Sequence, residues 1–187
     1  MTVTVDTPEG LKSGYSVIEV MVKSAPEIQG LSGTRAFVRG EAVTVDLGAH
    51  GKLFAVWSHD DAYRVVFDSF PGPPGLTRSG IEYYTRLKGT KSLLGSANPM
   101  MPLLVYFEDI NDPMTVKKVD SNNLAKVFGD GVQLKEIAIE MTDEPTTTTI
   151  DKHLVWLKGL NGGYLGGGGT AKNTPLGLDA GYFKREL

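Results

Sequence analysis

This 187-residue sequence predicts an α+β fold dominated by antiparallel β: roughly eight to ten strands in a sandwich or partly closed barrel, with two short helices. Three observations carry that expectation. Val43, Val45 and Leu47 alternate with Thr44 and Asp46, the period of two that a half-buried antiparallel strand imposes. Gly, Pro, Asn and Asp punctuate the chain at short intervals, as tight connections require. Only two stretches join a helix cap to apolar residues at helical spacing.

Thr2–Thr7 and Tyr15–Lys23 are rich in Val, Ile and Thr, and with Pro8–Gly14 between them they predict an opening hairpin. Residues 24–33 form a loop. A meander follows, with strands at Thr34–Arg39, Glu41–Leu47, Lys52–Trp57 and Tyr63–Phe67, separated by Gly40, Gly48–Gly51 and Ser58–Asp61. In the last of these strands Tyr63, Val65 and Phe67 share a face. The three prolines of Phe70–Gly75 fix φ and remove donors, so the segment interrupts the chain between its halves.

Thr77 or Ser79 caps a helix carrying Ile81, Tyr84 and Leu87, stopped by Gly89, with a strand as the alternative because of Tyr83-Tyr84. Residues 90–102 are irregular. Leu103–Phe107 and Thr115–Val119 are strands, and Asp120 or Ser121 caps a helix with Leu124, Val127 and Phe128 on one face, ended by Gly129. From Val132 to Thr142 the apolar positions change parity: Val132 and Leu134 are even, whereas Ile137, Ile139 and Met141 are odd. One strand cannot bury both sets on one face, so a bulge near Lys135-Glu136 is predicted. A threonine run leads to Leu154–Leu157, where Trp156, with Trp57, is expected to add large buried area to the core. The glycine-rich stretch at about 158–175 is expected to be a flexible loop, followed by an end segment, Tyr182-Phe183, that docks.

The length suits a single domain spanning 1–187. A hydrophobic share of 41% and a charged share of 22% are those of a soluble globular protein, and no apolar run approaches the ~20 residues of a membrane helix. With 19 basic against 22 acidic residues, the net charge of −3 offers no general footprint for nucleic acid. The absence of cysteine excludes disulfides, thiolate metal sites and a cysteine nucleophile. The opening Met1–Asp6 is strand-like and has no leader features. Either the protein is cytoplasmic or an export segment lies upstream.

Several clusters carry residue types suited to chemistry. Glu108, Asp109, Asn111 and Asp112 concentrate hard oxygen ligands after a strand, as calcium prefers. Asp109–Asp112 resembles part of the cadherin linker motif, but Pro113 breaks both that pattern and the EF-hand one. A turn in which Asp and Asn side chains bond the local backbone is the expected alternative, and no metal or cofactor is assigned. His59, Asp60 and Asp61 lie in a predicted loop with His50 in another. The two loops sit at opposite ends of one strand, about 20 Å apart at the usual rise, too far for one shared site. His153 has only Asp151 as a local carboxylate, and no Gly-x-Ser-x-Gly elbow accompanies it. Gly166–Lys172 superficially suggests a phosphate loop but lacks the final Gly and the Ser/Thr. Arg78, Arg86, Lys88 and Lys91 interleave with Tyr83 and Tyr84, a pairing suited to phosphates and stacked bases, against which Glu82 and the spacing favour a solvated face.

Asp6–Gly14, Gly40–Gly48, Gly80–Lys88, Asp112–Val119, Phe128–Val132 and Glu140–Pro145 together resemble a family of uncharacterised proteobacterial proteins over nearly the whole chain. The resemblance implies an upstream hydrophobic segment and hence export or inner-membrane anchoring, so the expected location is periplasmic or membrane-anchored with that segment and cytoplasmic without it. It implies no activity. The resulting expectation is a non-enzymatic envelope domain that binds a protein, a peptide or an envelope component, with no nucleic-acid partner and with membrane contact only through an upstream anchor. A hydrolase whose site forms only in the fold, and a phage or mobile-element structural protein, are the alternatives.

Overall fold

A computed structural model describes residues 1–23, 35–95, 99–160, 163–165 and 175–186. In chain order the strands are β1 (Thr2–Thr7), β2 (Gly10–Tyr15), β3 (Glu19–Lys23), β4 (Arg35–Glu41), β5 (Val43–Asp46), β6 (Lys52–Val56), β7 (Gly89–Ser92), β8 (Leu103–Phe107), β9 (Val116–Lys118), β10 (Gln133–Met141) and β11 (Lys184–Arg185). Helices α1 (His59–Ser69), α2 (Arg78–Arg86), α3 (Ala125–Phe128) and α4 (Leu157–Leu160) are interspersed. Every pairing between these strands is antiparallel. They form three open sheets, ordered β2-β1-β10-β7, β11-β4-β3 and β5-β6-β8-β9, rather than a closed barrel. The α+β class dominated by antiparallel β is therefore the fold.

The sheet containing β6 is covered on both faces. Leu53, Phe54, Ala55 and Val56 are all fully buried. By strand parity Leu53 and Ala55 join Val3, Val5, Val45, Ile137 and Ile139 in one core. Phe54 and Val56 join Val105, Ile150, Leu154, Leu178 and Phe183 in the other. The first core is closed by the β1–β10 sheet and α1, the second by the C-terminal part of the chain. Where β2 crosses β5, a Cβ on Gly14 would lie 1.9 Å from the Thr44 carbonyl oxygen, so only glycine permits this approach of the two sheets.

The bulge in β10 falls at the parity change. Thr4 pairs with Glu136 and Val5 with Leu134, leaving Lys135 as the extra residue, and this lets Val132, Ile137 and Ile139 all be buried. Thr77 caps α2, accepting from Gly80 N–H at 3.2 Å.

Five readings are corrected. Tyr63–Phe67 belongs to α1 and is not a strand. Ser58 Oγ accepts from Asp61 N–H at 3.1 Å and donates to Asp61 Oδ2 at 2.7 Å, while Ala62 and Val65 bury one helical stripe. Capping and helical period outweigh the β propensity of Tyr, Val and Phe. The opening hairpin turns tightly at Pro8-Glu9, so Gly10–Gly14 is strand. Residues 90–92, expected to be irregular, join Gly89 in β7, where the exposure of every residue leaves no apolar alternation to read. Asp120 makes a local turn to Asn122 N–H at 2.9 Å instead of capping α3, whose N-cap is Leu124. Lys158–Leu160 lies in α4 rather than in a loop. Residues 163–165 are not a free loop either, since Tyr164 bridges Asp179 and Leu165 is buried in the second core; 161–162 and 166–174 lie outside the described residues, as does the whole 24–33 loop.

Candidate functional site

A cleft of about 630 Å³ lies between β3, the two longer helices and the chain that leaves β10. Ile18, Val20 and Val22 form one wall, consistent with their alternate spacing along an extended strand. Tyr63, Val66 and Phe67 of α1 and Ile81, Tyr84 and Leu87 of α2 and its end supply the facing side. Of these, Ile18, Val20, Tyr63, Val66, Tyr84 and Leu87 are partly buried neighbours of the first core. Two glycines let the segment between the helices pack against both: a Cβ on Gly75 would strike the Phe67 ring of α1 at 2.1 Å, and one on Gly80 of α2 the Pro74 carbonyl oxygen at the same distance. Tyr84 Oη donates to the Phe70 carbonyl at 3.0 Å, and Tyr83 Oη to Pro71 at 3.4 Å, so the proline-rich segment is tied to α2. Burial, with the neighbouring Tyr83, pushes the Tyr84 hydroxyl up from its ordinary value.

The rim is polar. Glu19 Oε2 lies 2.7 Å from Arg39 Nη2, an ion pair off the hydrogen-bond line, and both side chains remain about half exposed. Such a pair contributes little to stability. Lys88 pairs with Asp143. Glu140 faces the Met1 amine, which donates to the Ser16 carbonyl at 2.7 Å and whose pKa burial lowers. Two further clefts are more open. One, of about 1000 Å³, holds Lys23, His59, Lys158, Lys184 and Arg185. The other, of about 750 Å³, holds Ser58, Asp61, Lys118, Asp120 and Tyr182.

The residues singled out in the sequence are dispersed. Asp109 Oδ1 accepts from Asn111 N–H at 2.9 Å and Asp112 Oδ1 from Met114 N–H at 2.9 Å. Thr115 Oγ1 lies within 2.9 Å of the carbonyls of Asp109 and Asp112, and Glu108 is 3.8 Å from Lys117. These oxygens thus bond the turn itself, as Asx turns do. Among the described residues no three His, Cys, Asp or Glu side chains are grouped as metal ligands. His50 Nδ1–H donates to the Phe128 carbonyl at 2.6 Å, and its Nε2 lies 3.1 Å from Glu9 Oε2, so it ties its own turn to the end of α3 and to the β1–β2 turn. The Glu9 carboxyl sits below its ordinary value, first through its own backbone N–H and then through His50.

His59 opens α1, 3.3 Å from Asp60, while the adjacent Ser58 hydroxyl is bonded to Asp61. His153 follows the short turn Ile150–Lys152, near enough to Asp46 to help lower that carboxyl. Arg78 pairs with Glu82 across one helical turn, and the Gly166–Lys172 segment lies outside the described residues.

Sequence reasoning missed the cleft and also Glu41, which is buried in the second half of β4. Its carboxylate accepts from Thr149 N–H at 2.8 Å, Thr149 Oγ–H at 2.9 Å and Ile150 N–H at 2.8 Å. An acidic residue directly before the buried Ala42-Val43 was the available signal.

Among the described residues no helix is long and apolar enough to cross a membrane. Comparison with protein-family models, with curated proteins and with solved structures found no match.

Proposed function

We propose that this chain is a non-enzymatic binding module of the bacterial envelope whose ligand occupies the cleft between β3, α1 and α2. The observation that carries the reading is the combination in one cleft of apolar walls with charged groups at the rim, the usual composition of a ligand pocket. The histidines and carboxylates noted in the sequence are engaged in local turns, caps and loop ties, which favours binding over hydrolysis. The envelope setting rests on the family resemblance.

Nile red, a neutral apolar fluorophore, tests the site. Its emission should rise and shift to the blue on titration with the protein. Val66→Trp and Val20→Trp each place an indole in the cleft and should weaken binding roughly tenfold or more, with circular dichroism unchanged. No enhancement with the unmodified protein, or enhancement indifferent to both folded variants, would refute the assignment.

A further inference from the structure

We infer that the cleft takes an extended basic and apolar peptide, which adds as a strand to the outer edge of β3. This deepens the preceding proposal and rests on it. β3 pairs with β4 on one side, from Glu19 opposite Arg39 to Lys23 opposite Arg35, and no other strand among the described residues pairs with it. An antiparallel edge strand turns part of its N–H and C=O groups outward, and an incoming strand satisfies them.

Among the described residues the chain leaving β10 bonds to Val17, two residues before β3. Thr147 N–H donates to the Val17 carbonyl at 3.3 Å, and Val17 N–H to Thr147 Oγ1 at 3.2 Å. Before that point residues 142–146 line the cleft without pairing to β3, so the gap beside the strand coincides with the cleft. Side chains on one face of a bound strand would meet Val20, Val22 and the helical wall, which is how strand addition gains selectivity beyond its ladder.

Charge selects the peptide's sign. The cleft is lined by Glu19, Glu140, Asp143 and Glu144 against Arg39 and Lys88. The two bases are bridged to Glu19 and Asp143, and even with the Met1 amine counted the carboxylates are in excess. Lysine or arginine flanking an apolar core therefore complements the rim.

The test uses the whole chain and three synthetic peptides: acetyl-Lys-Val-Thr-Val-Thr-Val-Lys-amide, the same sequence with Glu in place of both Lys, and the lysine peptide N-methylated at alternate residues. The lysine peptide should displace Nile red and slow amide exchange within 19–23. N-methylation removes ladder donors and should weaken it about tenfold or more. The glutamate version should bind about fivefold or more weakly at low salt, with the difference shrinking as salt rises. If Nile red binds but the lysine peptide neither displaces it nor protects β3, strand addition is wrong while the apolar site stands. If N-methylation is harmless, the peptide is held by its side chains alone and the inference also fails. Failure of Nile red itself overturns the site and the inference together.

Discussion

Glu41 should be the most costly single polar residue to replace. It is 5% exposed and accepts three hydrogen bonds, two from backbone N–H groups at the start of the Ile150–Lys152 turn and one from the Thr149 hydroxyl. Beside it, Ala42 N–H donates to the Phe183 carbonyl at 2.8 Å, so β4 anchors both ends of the layer that covers the second core. Glu41→Ala orphans those donors at about 1–3 kcal/mol each, offset in part because a carboxylate no longer has to be desolvated. The net loss expected is about 3–5 kcal/mol, by urea unfolding followed through tryptophan fluorescence. Glu41→Gln keeps one acceptor oxygen but turns an NH₂ toward a donor, and should lose about 1–3 kcal/mol. Limited proteolysis should cut Glu41→Ala faster within residues 150–186. If Glu41→Ala lost under about 1 kcal/mol, the C-terminal layer would be held by its apolar contacts alone and the anchoring argument would be wrong.

Other outcomes follow from the same geometry. Trp156 is only half buried, but its ring stands edge-on to Phe107 and Phe183 and its Nε1–H donates to the Ile110 carbonyl at 2.9 Å. Trp156→Ala should therefore cost about 3 kcal/mol and Trp156→Phe about 1 kcal/mol in the same urea assay. Millimolar Ca²⁺ should leave the melting temperature unchanged, because the Asp109 and Asp112 side chains already bond their own turn. A rise abolished by Asp109→Ala with Asp112→Ala would instead require a site on the folded protein. The Asp46 carboxyl is held below its ordinary value by the Lys52 ammonium first and then the Gly48 N–H. A depressed pKa stabilises above the unfolded value of 3.8, and that gain is lost as pH falls through the folded value. Asp46→Asn should thus melt lower than the parent at pH 6 and converge with it as pH falls through the folded value, a difference that persists at the lowest pH counting against the linkage.

The strands legible in the sequence were those whose side chains alternate against a core. β5 and the bulged β10 declared themselves because each mismatch in parity would have exposed an apolar residue or buried a polar one. β7 was illegible for the opposite reason, since Gly89–Ser92 is exposed throughout and is a strand only because β10 offers it a ladder. In α1 the information was present: Ser58-His59-Asp60-Asp61 is a cap followed by acidic residues in the first turn, and Ala62, Val65 and Val66 keep helical spacing. Tyr63, Val65 and Phe67 satisfy the two-residue period equally well, and only tertiary packing decides between them. The candidate cleft was harder to read. Its walls come from three separate segments, β3, α1 and α2, and the link between the two helices packs against both through Gly75 and Gly80. The polar clusters that did stand out serve local turns, because Asp, Asn and Ser are selected for backbone bonding as often as for chemistry.

The placement of the cleft follows from how the core is partitioned. β6 buries both faces in the two cores, and its sheet meets the more open 750 Å³ cleft at Val56, Leu103 and Leu104. α1 buries Ala62 and Val65 in the first core and leaves Tyr63, Val66 and Phe67 partly uncovered, while β3 has no fully buried residue at all. The uncovered apolar surface of both elements faces the same gap. β7 also presents an open edge, but its Gly-Thr-Lys-Ser side chains are solvated and offer no apolar wall, so a strand added there would gain a ladder without side-chain selectivity. On β3 the ladder, the apolar wall and an acidic rim coincide, and Glu19 and Lys23 at its two ends discourage indiscriminate pairing with another sheet edge. A partner that supplies basic residues against Glu140 and Glu144 overcomes that protection.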